Sequence, residues 1–236
     1  MKKQIRYLSL LPVYIPILVC LLLLAISRNR AVTVLTVNAP VTNRTTVVID
    51  AGHGGFDGGA VSCTGIYESQ FNLEIARKLN DLMHLMGINT VMIRESDSSV
   101  HTSGDTIAQK KVSDLKERVR IVNSNGNSLL VSIHQNQFSD SKYSGAQVFY
   151  APDTASQALA QSTQAALIQT VNPNSHRQIK KADGIYLMQH IRCPGILVEC
   201  GFLSNPQEEY KLRDPSYQKK LCAVIACTVS SYLFDT

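Results

Sequence analysis

Residues 7–26 carry no formal charge, with Lys2, Lys3 and Arg6 before them and Arg28 and Arg30 after. As a helix such a run spans about 30 Å, the thickness of a bilayer core. Beyond residue 45 the pattern changes to short apolar runs that alternate with stretches of helical period. Residues 46–50 are β-branched up to Asp50 and stop at Gly52, as a buried strand does. Phe71, Ile75, Leu79, Leu82, Met83 and Met86 then recur at helical spacing, and Gly87 ends that helix. Residues 89–93 predict a second strand. Asp114, with Glu117 three residues on, predicts a helix start whose buried face is Leu115, Val119 and Val122. Residues 129–133, 146–150 and 196–198 read as further strands, and residues 155–171 as a helix. Asn205-Pro206 and Asp214-Pro215 each place a capping side chain before a proline at the first helical position. The last helix runs through Val224, Ile225 and Leu233. Repeated strand–helix units of this kind predict an α/β fold with a mainly parallel central sheet flanked by helices.

Residues 1–30 therefore read as a transmembrane anchor or uncleaved signal, and residues 31–45 as a polar, proline-containing stalk. Residues 46–236 form a single domain. A cleaved signal peptide is the competing reading, but its only small-x-small site is Ala25-Ile26-Ser27, a poor one. Either way residues 31–236 are expected on the far side of a membrane. Residues 95–113, rich in Ser, Thr and Asp, read as a long polar loop.

Charge changes the picture mainly by exclusion. Of the 23 Lys and Arg, five lie in residues 1–30, which hold no acid, so the remaining 18 are balanced by 18 Asp and Glu. A body without net positive charge argues against a nucleic-acid partner, which needs phosphate neutralisation. Past the anchor stand Cys63, Cys193, Cys200, Cys222 and Cys227, an odd number with no CxxC pair. They are expected as buried, unpaired thiols rather than a disulfide framework.

In open α/β sheets, ligands bind beyond the carboxyl ends of the strands. His53 follows the first strand, Glu68 begins the first helix, His134 follows the run 129–133, and Glu199 follows 196–198. Two imidazoles and a carboxylate are a ligand set of catalytic zinc, with a second carboxylate able to take a proton from water. Taken singly, each residue has a plainer structural role. His134 would be a hydrogen-bonded histidine at a strand end, and Glu68 a charge favoured at a helix N-terminus. The glycines around His53 would allow a tight turn. Glu199 resists that treatment, because a carboxylate after three apolar residues is costly to bury without a purpose.

Four blocks in order carry a resemblance: residues 50–60 (DAGHGGFDGGA), Glu68 with Asn72-Leu73, residues 132–136 (SIHQN), and residues 197–205 (LVECGFLSN). Over residues 46–234 the chain resembles the zinc-dependent N-acetylmuramoyl-L-alanine amidases. The resemblance implies hydrolysis of the amide between N-acetylmuramic acid and L-alanine in peptidoglycan. It implies one zinc ion held by His53, Glu68 and His134, with Glu199 as the catalytic carboxylate. Gln135 and Gln137 flank His134 where many relatives carry small residues. An anchored chain with one amidase domain and no wall-binding repeats is most similar to the spore-cortex, germination-specific amidases of endospore formers. In those, peptide removal precedes formation of muramic-δ-lactam by a partner deacetylase. That implies an extracytoplasmic location, in the space between forespore and mother-cell membranes.

Three expectations complete the reading. Arg94 and Asn136 are candidate substrate contacts, Arg94 through a bidentate bond to a stem-peptide carboxylate. An activating protein partner is expected, since an enzyme that cuts its own cell's wall needs restraint. The alternatives are a catalytically silent peptidoglycan-binding or scaffold domain, and a zinc peptidase or deacetylase of the cell wall.

Overall fold

Alternation along the strands explains the layers of the domain. The computed structural model describes residues 45–235, so the expected anchor and all but the last residue of the stalk lie outside the described residues. Among the described residues no helix is long and apolar enough to cross a membrane.

The chain forms β1 (Thr46–Ala51), α1 (Glu68–Leu85), β2 (Thr90–Met92), α2 (Ile107–Ser124), β3 (Ser128–Asn136) and β4 (Gln147–Tyr150). It continues through α3 (Thr154–Thr170), β5 (Lys180–Lys181), α4 (Tyr186–His190), β6 (Gly195–Phe202), α5 (Pro206–Arg213) and α6 (Pro215–Asp235). The six strands lie in the order β2-β1-β3-β6-β4-β5. β2, β1, β3 and β6 are parallel, while β4 runs antiparallel to β6 and carries β5 parallel to itself. The sheet is thus mixed, with a parallel centre.

Successive side chains point to opposite faces. Val47, Ile49, Leu129, Val131, Ile133, Ile196 and Val198 meet Ile75 and Leu79 of α1, Leu159 of α3 and Ile225 of α6. Val48, Leu130 and Leu197 meet Val122 of α2 and Met188 of α4. Burying each such aliphatic side chain contributes roughly 1.5–3 kcal/mol, which is why the middles of the central strands, residues 47–49, 129–131 and 196–198, are apolar.

Two expectations need correction. The helix expected at Asp114 begins a full two turns earlier, because Thr106 caps it. The Thr106 side chain accepts from the Gln109 amide and the Gln109 side chain accepts from the Thr106 amide. Asp114 instead sits inside α2 and accepts from Ser99 Oγ and the Val100 amide, tying the shortened loop to the helix. Among the described residues the cysteines are all free, but Cys63 and Cys227 are exposed, and only Cys200 and Cys222 are buried. The proline-capped starts hold: Asn205 accepts from the Gln207 and Glu208 amides, and Asp214 from the Ser216 amide.

Candidate metal centre

The turn after β1 holds His53 at φ 61°, the one non-glycine residue with positive φ among the described residues. That left-handed geometry is costly for a residue with a Cβ and persists only where the surroundings impose it. Glycines in the same turn allow a close approach of side chains. A Cβ on Gly52 would overlap the His134 imidazole, and one on Gly59 would lie 2.6 Å from Glu68 Oε2 and 2.7 Å from His53 Cδ2. The glycines exist to let three side chains converge.

They converge closely. His53 Nε2 stands 3.2 Å from Glu68 Oε2, and His134 Nδ1 stands 2.9 Å from Glu68 Oε1. One ligand atom from each of His53, Glu68 and His134 lies within 4.8 Å of the others. Glu68, at the first position of α1, is fixed by the backbone. Its Oε2 accepts from the Ala60 amide at 3.0 Å and its Oε1 from the Gln135 amide at 3.1 Å, with Asn72 Nδ2 at 3.2 Å. Burial opposes its charge, but the bonds from His134 and His53 hold the carboxyl far below its usual range.

Asp57 completes the orientation of His53. His53 Nδ1 donates to Asp57 Oδ2 at 2.9 Å, which leaves Nε2 turned toward Glu68. Lys111 Nζ donates to the other Asp57 oxygen at 3.2 Å. Burial works against a charged imidazole, yet Asp57 and Glu68 raise the His53 pKa to about 9. Asp57 is correspondingly held well below the usual carboxylate range, first by its bond to His53.

Glu199 faces this cluster from the neighbouring strand, in register with His134. Its Oε2 is buried without a hydrogen-bond partner. Burial pushes its pKa up to about 7; Glu68 adds to the rise while His134 and His53 oppose it. The cleft above these groups has a volume of about 260 Å³ and walls that include Leu115, Ile185, Leu187 and Leu197. Two imidazoles and a pinned carboxylate, with a poised second carboxylate beside them, fit a zinc ion with one open position.

The family model described as N-acetylmuramoyl-L-alanine amidase matches residues 47–231. The chain belongs to this amidase family. It is 37% identical over 191 residues to the germination-specific N-acetylmuramoyl-L-alanine amidase of Bacillus subtilis, covering 80% of each chain. It is similar to the CwlD amidase of Clostridioides difficile, solved in complex with the GerS lipoprotein. That match has TM-score 0.78 and 38% identity, over 82% of this chain and all of the other. An N-acetylmuramoyl-L-alanine amidase from Clostridium difficile 630 superposes with TM-score 0.72 and 32% identity, over 83% of this chain and 100% of that one.

Within the amidase domain, His53, His134 and Glu199 line one cleft, Glu68 is bonded to both histidines, and Arg94 and Asn136 do not line it. Arg94 is 3% exposed. Its guanidinium donates to the carbonyls of Ala51, Gly52, Ser69 and Ser96. The expected bond to a stem-peptide carboxylate is therefore corrected: Arg94 braces the backbone that carries His53. Asn136 ends β3, where the register with β6 shifts, and its carbonyl accepts from the Leu203 amide. It is not among the residues lining the cleft.

Asp50 and Arg118 are the larger omission of the sequence reading. Arg118 Nη1 donates to Asp50 Oδ1 at 2.5 Å and Nε to Asp114 at 2.6 Å. The same guanidinium donates to the carbonyls of Ala51 and His53. Ser132 Oγ donates to the remaining Asp50 oxygen at 2.7 Å. Two buried arginines thus hold the strained turn from below. Nothing in the spacing of residues 50 and 118 announces the pair, though an acid ending an apolar strand was a signal.

Proposed function

We propose that this amidase is zinc-dependent, with His53, Glu68 and His134 as ligands and Glu199 as the catalytic carboxylate. The observation that carries the reading is Glu199 Oε2, buried without a partner beside the three-residue donor set. When bound, zinc supplies Lewis acidity to the scissile carbonyl and to the attacking water. Glu199 takes the water proton, its pKa near 7 matching neutral conditions. The same carboxyl then returns the proton to the departing amine of L-alanine. Asp57 keeps the His53 Nδ1 proton in place, and Arg94 and Arg118 keep the turn from relaxing. The apolar walls at Leu115, Ile185 and Leu187 exclude water from the reacting amide.

The likeness to a germination-specific relative supports spore-cortex peptidoglycan as the substrate, cut ahead of muramic-δ-lactam formation by a deacetylase. The neighbouring amidase solved with a lipoprotein supports an activating protein partner. Residues 1–30 are the anchor in this reading and residues 46–236 the extracytoplasmic catalytic domain, in the space between forespore and mother-cell membranes. The complete donor set in one cleft favours an enzyme over a silent binding domain.

The full chain, loaded with zinc and incubated with purified cortex peptidoglycan, should release peptides that begin with L-alanine. The Glu199→Gln variant should keep its zinc and lose roughly 10²–10⁴-fold in rate. Turnover surviving in that variant, or products from a different bond, would overturn the assignment.

A further inference from the structure

Asn72 stands one turn after Glu68 on α1, so the two side chains share a face of the helix. Asparagine is a poor residue for a helix interior, because its side chain competes for backbone hydrogen bonds. Here it is fully buried, and its bonds go elsewhere than to the backbone of its own helix. Nδ2 donates to the Gly52 carbonyl at 3.1 Å and to Glu68 Oε1 at 3.2 Å. Oδ1 accepts from Gln135 Nε2 at 3.3 Å. Both hydrogens of the amide nitrogen and the oxygen are engaged, which fixes the amide in one orientation.

These contacts reach the carriers of all three donor residues. Gly52 precedes His53 and lies so close to the His134 imidazole that a Cβ there would fall 2.1 Å from Nε2. Glu68 is itself a donor. Gln135 follows His134, and its backbone amide also donates to Glu68 Oε1 at 3.1 Å. The ends of β1 and β3 and the start of α1 therefore meet at one side chain. The arginines reach less far. Arg94 also donates to the Gly52 carbonyl and Arg118 to those of Ala51 and His53, but among the described residues neither bonds Glu68 or Gln135.

Gln135 adds an independent clue. It is buried, and its Oε1 has no hydrogen-bond partner. A lone buried acceptor is costly, and an apolar side chain of similar length would avoid that cost. What the amide supplies instead is the Nε2 bond to Asn72 Oδ1.

We propose that Asn72 is a positioning residue of the metal centre: one buried amide holds the carriers of His53, Glu68 and His134 in a common frame, and Gln135 locks it. The inference rests on the zinc reading above and goes beyond it by giving the placement of the ligands to a residue outside the donor set. Glu68 accepts from three N–H groups, those of Ala60, Gln135 and Asn72. A carboxylate so held has little freedom to rotate, and the donor set is formed before an ion arrives. Without Asn72, only backbone amides and the two histidines still bond Glu68.

The test is the zinc affinity of the full chain in detergent, measured by competition with a chromophoric chelator. The visible spectrum of the cobalt(II)-loaded protein reports ligand geometry alongside it. Asn72→Leu keeps the branched outline of the side chain and none of its bonds. It should bind zinc about 10–100-fold more weakly and alter the cobalt spectrum. Gln135→Met removes the side-chain bond but keeps the backbone amide, and should weaken zinc binding about two- to tenfold. The double variant should bind as weakly as Asn72→Leu alone, because Gln135 acts through Asn72. Melting of the metal-free proteins in chelator separates positioning from stability. A lower Tm there, with affinity and spectrum of the folded variants unchanged, would make Asn72 merely structural and overturn the proposal. Should Asn72→Leu fail to fold, wild-type affinity in Gln135→Met would overturn it as well. A wild type that takes up neither zinc nor cobalt would sink the zinc reading and this inference together, whereas wild-type uptake with unchanged variants would sink the inference alone.

Discussion

Replacing Arg118 by Met keeps the length and apolar stem of the side chain and removes its charge. Asp50, 1% exposed, would then keep only the Ser132 hydroxyl as a partner. Breaking a buried ion pair by deleting one member costs about 3–5 kcal/mol, because the surviving charge stays desolvated. In a domain of this size a kcal/mol moves Tm by about 2–4 °C, so the variant should melt roughly 6–20 °C lower. The deficit should also depend on pH. In the wild type burial raises the Asp50 pKa, but Arg118, with His134 and the Ser132 hydroxyl, more than offsets it, and the carboxyl is held below its ordinary value. That stability is present above the unfolded pKa of about 4 and is lost as pH falls through the lower folded value. In the variant only His134 and the Ser132 hydroxyl still oppose burial, the largest influence on the group, and the folded pKa should rise above the unfolded one. Its deficit should therefore be full at pH 8 and shrink as acid protonates Asp50. Thermal unfolding followed by circular dichroism at pH 8 and pH 5, with chelator present so that metal binding does not enter, measures both. An equal deficit at the two pH values would refute the claim that an unpaired Asp50 charge is the cause.

Other outcomes follow from the site. Asp57→Asn should preserve the fold and weaken zinc binding about 10–100-fold, since the partner of a ligating imidazole sets its orientation; unchanged affinity in a competition titration would remove Asp57 from that role. Gly59→Ala should lose zinc more severely, because its Cβ would lie 2.6 Å from Glu68 Oε2 at a φ of 71°; metal content after dialysis reads this directly. Glu199 must be ionised to accept a proton, so activity should rise with pH through its pKa. A cation in the site moves that value down from about 7. The acid limb of the rate profile should thus lie at or below pH 7, and an inflection above pH 8 would assign the proton to another group.

The parts legible in the sequence are those where one residue type at one period admits one structure. Phe71, Ile75, Leu79 and Met83 are all buried on α1, as their spacing demands. The start of α2 was hidden because its early apolar residues face water: Ile107 is 70% exposed and Val112 52% exposed. A helix that buries only Ser113, Arg118 and Val122 offers little periodicity to find. β5, two exposed lysines, exists only because the edge of β4 is there to pair with. β4 pairs antiparallel with β6 and not with β3, which precedes it in the chain, and that non-local pairing leaves no local mark in the sequence. The donor set was legible through motif blocks. The supports of that set, Asp50 with Arg118 and Arg94 with four carbonyls, were not, because a guanidinium aimed at backbone leaves no mark on spacing.

The donor set is drawn from elements that meet only through long-range pairing. His53 and Glu68 are near in sequence, but His134 joins them only when β3 docks on β1, and Glu199 only when β6 docks on β3. Pairings of such wide sequence separation form slowly. A chain that has been made but has not folded therefore holds the ligands as scattered side chains, with no centre to bind metal or to cut. Latency of this kind needs no inhibitor and no propeptide. The centre is complete only where β3 is paired with β1 and β6 with β3.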